Sequence, residues 1–186
     1  MASRYRVRIL CEDRRSERFL LGLCKRFGVR ILHVEVAPDS KSSASDWVLA
    51  KYAEAVGKRR SKNFQTTLGL LVHIDGDKHG FQARKAQMDD RLQRENLPLR
   101  GSSEPVAIFV PTWCIETWLL HLVGLAQPPE AAKLKRDPDP TFRPALRALE
   151  ADVACYIAKA VIAWPGSSMP SLSDSIDEAR RIDIIP

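Results

Sequence analysis

The sequence lacks the features that would assign it at once to several common classes. Its four cysteines, at positions 11, 24, 114 and 155, show neither C-x-x-C pairing nor the spacing of zinc ligands. No run of apolar residues is long enough to cross a bilayer, and charged residues lie within and just after the apolar run at the amino terminus. We therefore expect a cytoplasmic protein with no membrane span and no signal peptide, whose cysteines are reduced and packed in the core.

A nucleotide-binding motif of the form G-x-x-x-x-G-K-[ST] is also absent, as are internal repeats and low-complexity tracts. The chain therefore does not contain a P-loop ATPase of its own. What is present is an ordinary globular composition of 186 residues, 45% apolar and 28% charged, which suffices for one well-buried core. We predict an α/β core over residues 1–125. A Pro-rich loop and C-terminal helices packed on that core are predicted over residues 126–186.

The charge is distributed unevenly along the chain. Residues 1–100 contain 21 Lys and Arg against 12 Asp and Glu, a net charge of +9, whereas residues 101–186 contain 8 against 11, a net charge of −3. A basic surface around a cluster of acids suits an enzyme that acts on a polyanion, because cations attract phosphates while the acids hold a metal ion. A basic face that only maintains solubility accounts for the charge equally well.

Short apolar runs alternate with helical patterns over the first 125 residues. Four runs predict β-strands, over residues 5–11, 30–37, 68–75 and 105–111. The helical spacing between them predicts an α/β fold with a central parallel sheet of about four strands flanked by helices. Beyond the Pro-rich loop, the pattern predicts a helix over about 143–160 and a last short helix that begins near Ser173, where S-x-x-D indicates a cap.

Acidic residues follow three of the predicted strands. Glu12 comes directly after the first strand, Asp75 and Asp77 end the third, and Glu116 lies a few residues after the fourth. Ligands of open α/β sheets gather beyond the carboxyl ends of the strands, so we expect these side chains to converge there. Converging carboxylates repel one another unless a cation lies among them, and hard oxygen ligands favour Mg²⁺ or Mn²⁺. Gly76 would permit the backbone angles of the turn between the two aspartates, although D-G is also ordinary turn chemistry.

Three segments together resemble the motifs of Toprim domains. ILCEDRRSERFL, at residues 9–20, resembles the first motif, in which a strand ends in Glu before a helix. VHIDGDKHG, at residues 72–80, is similar to the D-x-D motif. WCIETWLLH, at residues 113–121, resembles the P…E-x-W-L segment of small Toprim-like proteins related to the overcoming-lysogenization-defect (OLD) nucleases. The resemblance covers roughly residues 5–125 and implies a Toprim-like, Rossmann-like sheet.

The resemblance implies a Mg²⁺-dependent (or Mn²⁺-dependent) nuclease that cleaves phosphodiester bonds in DNA or RNA. Under this reading Glu12 is a general acid/base or a ligand of a second metal ion, and Asp75 and Asp77 hold the ion that offsets charge on the scissile phosphate. Glu116 completes the acidic cluster. By analogy alone, the protein would be a bacterial defence-type effector that acts with a separate ATPase or sensor protein, and a homodimer is compatible with its size.

Two departures from the family pattern leave other functions open. Asp13 stands where the family usually has Gly, and Ser16 replaces a frequent acidic residue, for which Glu17 is a possible substitute. A non-catalytic module that binds nucleic acid or a protein is therefore one alternative. A phosphohydrolase of small substrates that uses the same acids is another, and a small closed pocket would distinguish it from an enzyme with an open basic groove.

Basic residues near the acids are candidate contacts for substrate phosphate. They are Arg14, Arg15, Lys78 and His79, for which a solvated loop or helix face is the alternative role. A second basic run, residues 58–62, is expected to be a solvated face. His73 lies on the same strand face as Asp75, but a histidine inside an apolar strand is more often a packed core residue. Glu116 has a structural alternative too, because a carboxylate in the first turn of a helix capped by Thr112 would gain from the helix dipole.

Overall fold

Four parallel strands form one sheet in the computed structural model of the chain, which describes residues 3–39, 43–62, 67–129, 134, 138–167 and 169–185. The strands are β1 (Arg6–Cys11), β2 (Arg30–Val36), β3 (Leu68–His73) and β4 (Val106–Phe109). They lie in the order β2-β1-β3-β4, and every neighbouring pair is parallel. The predicted α/β fold with a four-stranded, Rossmann-like parallel sheet is confirmed.

Helices cover both faces of the sheet. One face is covered by α2 (Ala44–Ser61) and α3 (Gly80–Arg94). The other face is covered by five helices: α1 (Arg14–Arg26), α4 (Ile115–Leu122), α5 (Arg143–Ala151), α6 (Val153–Ala163) and α7 (Pro170–Arg180). Within the ranges given above, none of these helices combines the length and the apolar character needed to cross a membrane.

The core lies in two layers because successive side chains of a strand point to opposite faces of the sheet. On β3, Leu71 packs among α1 and α4, whereas Leu70 and Val72 pack under α2 and α3. All six residues of β3 are buried, as the nearly continuous apolar run predicts for a central strand.

The four cysteines form no disulfide within the described residues, and Cys11, Cys24 and Cys114 lie in the core as predicted, whereas Cys155 does not. Three of them are buried and Cys155 is half-buried. Burial raises the pKa of the Cys24 thiol to about 12, so this cysteine stays protonated at neutral pH and is a packing residue.

The C-terminal helices differ from their predicted bounds. The predicted helix over 143–160 is wrong, because the chain breaks at Asp152, whose carboxylate accepts a hydrogen bond from the Cys155 backbone N–H at 3.1 Å and caps α6. The predicted start of the last helix near Ser173 is also wrong. The helix already begins at Pro170, whose fixed φ suits a first helical position, and the Ser173 N–H donates to the Met169 carbonyl at 2.9 Å.

Side chains close the outer edge of β4. Glu178 of α7 accepts a hydrogen bond from the Ile108 backbone N–H at 2.9 Å, and Arg100 donates to the Val106 carbonyl at 2.8 Å. Arg100 and Glu178 also form a buried ion pair with each other. Two of the backbone groups that an edge strand leaves unpaired, the Ile108 N–H and the Val106 carbonyl, are thus satisfied from within the chain, which makes this edge less available for pairing with other molecules.

Candidate active site

The site lies between β1 and β3, two neighbouring strands from which the chain continues toward opposite edges of the sheet. From β1 the chain passes through α1 to β2 on one side, whereas β3, on the other side of β1, leads into α3 on the opposite face of the sheet. The two connections therefore diverge and leave a crevice beyond the carboxyl ends of β1 and β3. Open α/β sheets bind their ligands at such a switch point.

Glu12 and Asp75 meet at this switch point. Glu12 follows β1 and is 9% exposed, and its Oε1 accepts a hydrogen bond from the Asp75 backbone N–H at 2.8 Å. Asp75, two residues after the last residue of β3, is 2% exposed, and its Oδ1 accepts a hydrogen bond from the Ile115 N–H at 3.2 Å. Because Ile115 begins α4, Asp75 ties the end of β3 to the start of that helix.

Glu116 lies in the first turn of α4, directly after Ile115, whose N–H binds Asp75. It is buried, and Arg15 of α1 donates a hydrogen bond to its Oε1. The helix is not capped by Thr112, since its N-cap residue is Cys114, and the N–H of Ile115 is satisfied by Asp75 instead. A carboxylate at this position gains from the helix dipole, which is the structural role foreseen for Glu116.

Asp77 is paired with an arginine that the sequence pattern does not single out. Its Oδ2 accepts a hydrogen bond from Arg84 Nη2 at 2.6 Å, and its side chain is 49% exposed. Arg84, 4% exposed, also donates from Nε to the Asp75 backbone carbonyl at 2.8 Å. Arg84 thus braces both ends of the D-G-D turn. Its neighbours on α3 include further basic residues, so no feature of the sequence distinguishes it.

Gly76 is needed for space and not for an unusual backbone angle. A Cβ atom at this position would lie 2.5 Å from the Pro111 carbonyl oxygen, to which the Gly76 N–H donates at 2.8 Å. The predicted reason was therefore wrong: the left-handed φ of this turn, 47°, belongs to Asp77. The Asp77 N–H donates to the Trp113 carbonyl at 2.9 Å, and Trp113 itself has a φ of 71°. Two non-glycine residues in this region of φ, on two segments joined by this hydrogen bond, indicate backbone strain next to the acids.

The departure at Asp13 has a structural cause. Its side chain accepts a hydrogen bond from the Ser16 backbone N–H at 2.8 Å and caps α1. Where the resemblance would place glycine, this chain places an N-cap, which fixes the direction in which α1 leaves the site.

Some of the remaining candidate residues contact the acids, and others are exposed or packed elsewhere. Arg15 reaches the acids through Glu116, whereas the exposed Arg14 pairs with Glu17 at 2.8 Å on its own helix. Lys78 and His79 are exposed on the turn after Asp77. His73 is fully buried, with its ring edge-on to Trp118 at 6.1 Å between centroids, as expected of a packed core histidine.

The basic run at 58–62 is only in part the predicted solvated face: Lys58 and Lys62 are exposed, whereas Arg59 and Arg60 are not. Arg59 and Arg60 both pair with Glu104, and all three side chains are largely buried. These guanidiniums tie α2 to the segment before β4, and they do so away from the carboxyl ends of the strands. Their role is therefore structural.

The chemistry of the carboxylates fits a hard divalent ion. No group of three or more His, Cys, Asp or Glu side chains is placed to hold one metal ion among the residues described. Mg²⁺ does not require such a group, because it usually binds through one or two carboxylates and completes its shell with water and substrate phosphate. Glu12 and Asp75, which meet at the switch point, are the residues that suit this mode of binding.

Comparisons of the chain with protein-family models, with curated proteins and with solved structures find no match in any of the three. The resemblance to Toprim domains therefore rests on the three motif segments and stays a prediction. The function has to be argued from the site.

Proposed function

We propose that the protein is a Mg²⁺- or Mn²⁺-dependent nuclease that cleaves phosphodiester bonds in nucleic acid. The observation that supports this most directly is the contact between Glu12 and the Asp75 backbone at the switch point of the sheet. Both side chains are buried. They follow β1 and β3, which are neighbours in the sheet although 56 residues of sequence separate Cys11 from Leu68. A fold that needed only stability would more often place apolar side chains there.

The proposed roles follow from the contacts of each residue. Glu12 and Asp75 would hold the ion, which would supply charge stabilisation at the scissile phosphate when bound. Glu116 would add negative charge beside them, oriented by Arg15. Arg84 is a positioning residue, because its bond to the Asp75 carbonyl fixes the turn that carries both aspartates.

Asp77 has a conditional role in this proposal. Its carboxylate accepts a short, charge-assisted hydrogen bond from the buried Arg84, and removing that partner would leave a buried cation uncompensated. Asp77 would therefore join the ion only if substrate phosphate took its place on Arg84. The proposal needs Glu12 and Asp75 from the start and Asp77 only with substrate bound.

The substrate class follows from the charge distribution. The segment that carries Glu12 and Asp75 also carries the net charge of +9 over residues 1–100. Such a field concentrates polyanions near the acids and makes binding dependent on salt. Whether a separate ATPase or sensor protein, or a second copy of the chain, accompanies this activity stays a prediction.

The test uses Glu12→Gln and Asp75→Asn, which remove a negative charge but keep a carbonyl oxygen for the hydrogen bonds to Asp75 N and Ile115 N. We expect Mg²⁺- or Mn²⁺-dependent cleavage of labelled DNA or RNA to fall by about 100-fold or more in both variants. The metal-dependent rise in melting temperature should also shrink, because an ion that binds the folded state stabilises it by mass action.

Asp90→Asn is the matched control, since Asp90 is an exposed carboxylate on α3 that pairs with Arg94. It should cleave as the unmodified protein does. If cleavage persists in both site variants while circular dichroism shows an unchanged fold, the nuclease proposal is wrong.

One observation favours a second function, a binding module without turnover. Asp77 is engaged by Arg84, and the side chains described do not assemble three metal ligands. Such a module would bind nucleic acid with strong salt dependence, and neither Mg²⁺ nor Mn²⁺ would produce cleavage.

A further inference from the structure

The sheet face that carries α2 and α3 is left uncovered at β2. The apolar layer under these two helices takes its strand residues from β1, β3 and β4, and among the residues described none comes from β2. Beside the end of α2 lies a pocket of about 300 Å³, which is lined by Arg8, Leu32, His33, Lys62 and Leu68. This part of the sheet is therefore accessible to a ligand.

Basic side chains share this uncovered face because of the strand register. Val7 and Ile31 are partners across β1 and β2, and both pack into the apolar layer on the α1 side. The residues before them, Arg6 and Arg30, are also partners and therefore point to the opposite face, the one that α2 leaves open. Neighbouring strands lie about 4.8 Å apart, so the two arginines are adjacent. Like charges opposite each other on neighbouring strands repel, so this pair does not stabilise the fold.

The cations of this face are not all matched by acids. Arg8, on the same side of β1 as Arg6, is paired with Glu35 at 3.3 Å. Within the described part of the chain, by contrast, Arg6, Arg30 and Lys62 form no ion pair. Arg30 and Lys62 are exposed, and Arg6 is half-buried. These three charges are therefore placed where a polyanion can reach them.

The chemistry of these groups suits the backbone of a nucleic acid. Guanidinium groups present paired N–H donors that match two oxygens of a phosphate, and they stay charged at every physiological pH. Arg6 precedes Glu12 by the length of β1, about 20 Å at about 3.3 Å per residue. Phosphates follow one another about every 3.4 Å along each strand of a duplex, so about six of them span this distance. A strand that lies on the acids is long enough to reach this face as well.

We propose that Arg6, Arg30 and Lys62 form a surface, the β2 surface, that binds the phosphate backbone of nucleic acid at a distance from the acids. This inference rests on the proposed function, which makes nucleic acid the substrate that the acids cleave. Contacts to phosphate carry no sequence information, so the β2 surface would add affinity without sequence preference.

The experiment measures binding separately from cleavage. In EDTA, which prevents metal-dependent cleavage, the anisotropy of fluorescent single- and double-stranded oligonucleotides is titrated with the full chain. Arg30→Gln and Lys62→Gln should each bind about 3- to 10-fold more weakly, and the slope of log affinity against log salt should fall by about 1. Lys159→Gln is the matched control, since Lys159 lies exposed on α6, on the opposite face of the sheet. Its affinity should change less than about twofold, because salt screens exposed charges at that separation.

A second measurement distinguishes the β2 surface from a structural role. Charged side chains on an edge strand commonly prevent it from pairing with other chains, and Arg30 lies on such a strand. If that were its role, Arg30→Gln would form larger species in size-exclusion chromatography and would bind oligonucleotides as before, which would overturn the proposal. We expect instead a monodisperse variant whose urea midpoint is equal or higher, because a repulsion has been removed. Absence of oligonucleotide binding by the unmodified protein would also overturn the proposal.

The two proposals fail separately in this design. If Arg30→Gln and Lys62→Gln bind weakly but the unmodified protein never cleaves, the β2 surface stands and the nuclease proposal fails. If cleavage depends on Glu12 and Asp75 while both of these variants bind as before, the nuclease proposal stands and the β2 surface fails.

Discussion

Two regions of the sheet bury carboxylates to the same extent and use them differently. Glu116, at the carboxyl ends of the strands, and Glu178, at the outer edge of β4, are each 6% exposed. Glu178 contacts Arg100 and Arg181 and accepts the Ile108 N–H, so its charge is matched locally by cations. Burial of a carboxylate is therefore not a sign of chemistry by itself.

The acids at the switch point differ from Glu178 in their neighbouring residues and not in their burial. There Glu12 and Asp75 follow two neighbouring strands and meet beyond their carboxyl ends, and Asp75 accepts a hydrogen bond from the first residue of the helix that carries Glu116. Two buried carboxylates that lie close together lower stability unless a cation or a substrate group joins them, which natural proteins tolerate at functional sites. The position of a carboxylate relative to the strand ends, together with its acidic neighbours, distinguishes the candidate site from the β4 edge.

The largest effect is expected at the β4 edge. Glu178→Ala would leave the Arg100 guanidinium buried without its partner and the Ile108 N–H without its acceptor, so we expect a loss of about 3 to 5 kcal/mol in unfolding free energy. Urea denaturation of the variant measures this loss. By contrast, Glu12→Gln keeps the oxygen that accepts the Asp75 N–H and should cost less than about 1 kcal/mol.

A double substitution serves as the control for this difference. Replacing Arg100 by Met and Glu178 by Leu removes both buried charges, and it should cost less than the sum of the two single changes. If Glu12→Gln proves as destabilising as Glu178→Ala, the acids at the switch point are structural as well.

The sheet and the location of its acids could be predicted because both follow from short-range patterns. Apolar runs of strand length end in acids, and parallel strands bring their carboxyl ends to one edge, so the approach of Glu12 to Asp75 follows from topology. The brace by Arg84 could not be predicted. It acts on the Asp75 backbone carbonyl through a turn in which Asp77 adopts a left-handed φ, and the sequence records neither.

The C-terminal segment was harder to predict for a similar reason. The apolar pattern continues through Asp152, so periodicity alone indicates one helix, whereas the Asp152 side chain competes for the backbone and starts a second one. The closure of the β4 edge depends on Arg100 and Glu178, 78 residues apart, which no local pattern connects. The contacts of Arg84 at the D-G-D turn and of Arg100 with Glu178 were missed because hydrophobic periodicity does not register polar side-chain contacts.

A smaller effect is expected from backbone crowding at the site. Gly76→Ala places a Cβ 2.5 Å from the rigid Pro111 carbonyl, so the turn must shift, and we expect a loss of about 1 to 3 kcal/mol together with weaker metal binding. Gly57→Ala is the matched control, because its Cβ would meet no atom closer than 3.7 Å inside α2. That change should stabilise the fold by about 0.5 to 1 kcal/mol.

Thermal melts with and without Mg²⁺ measure both glycine variants. Equal stability of Gly76→Ala and the unmodified protein would mean that the approach of Pro111 to the turn is not tight. The backbone of the turn that carries the acids would then be able to shift more easily than the backbone at the buried edge of β4.

The smallest effect concerns acid stability at a third carboxylate, Glu104. Burial by itself would raise the pKa of Glu104, but the hydrogen bond from Arg60 and the charges of Arg60 and Arg59 outweigh burial and lower that pKa. A carboxyl group whose pKa is lower in the folded state stabilises the fold above its unfolded pKa, near 4.3, and loses this contribution as the pH falls through the folded pKa.

Glu104→Gln should therefore cost about 1 kcal/mol at pH 7, and its difference from the unmodified protein should shrink as the pH is lowered below about 4. Urea titrations at a series of pH values check this, with Glu95→Gln at an exposed glutamate at the end of α3 as the control for the substitution itself. A cost that stays constant down to acid pH would mean that the pairing with Arg59 and Arg60 contributes no charge-dependent stability. Glu104 would then not resemble Glu178, whose charge is matched within the fold.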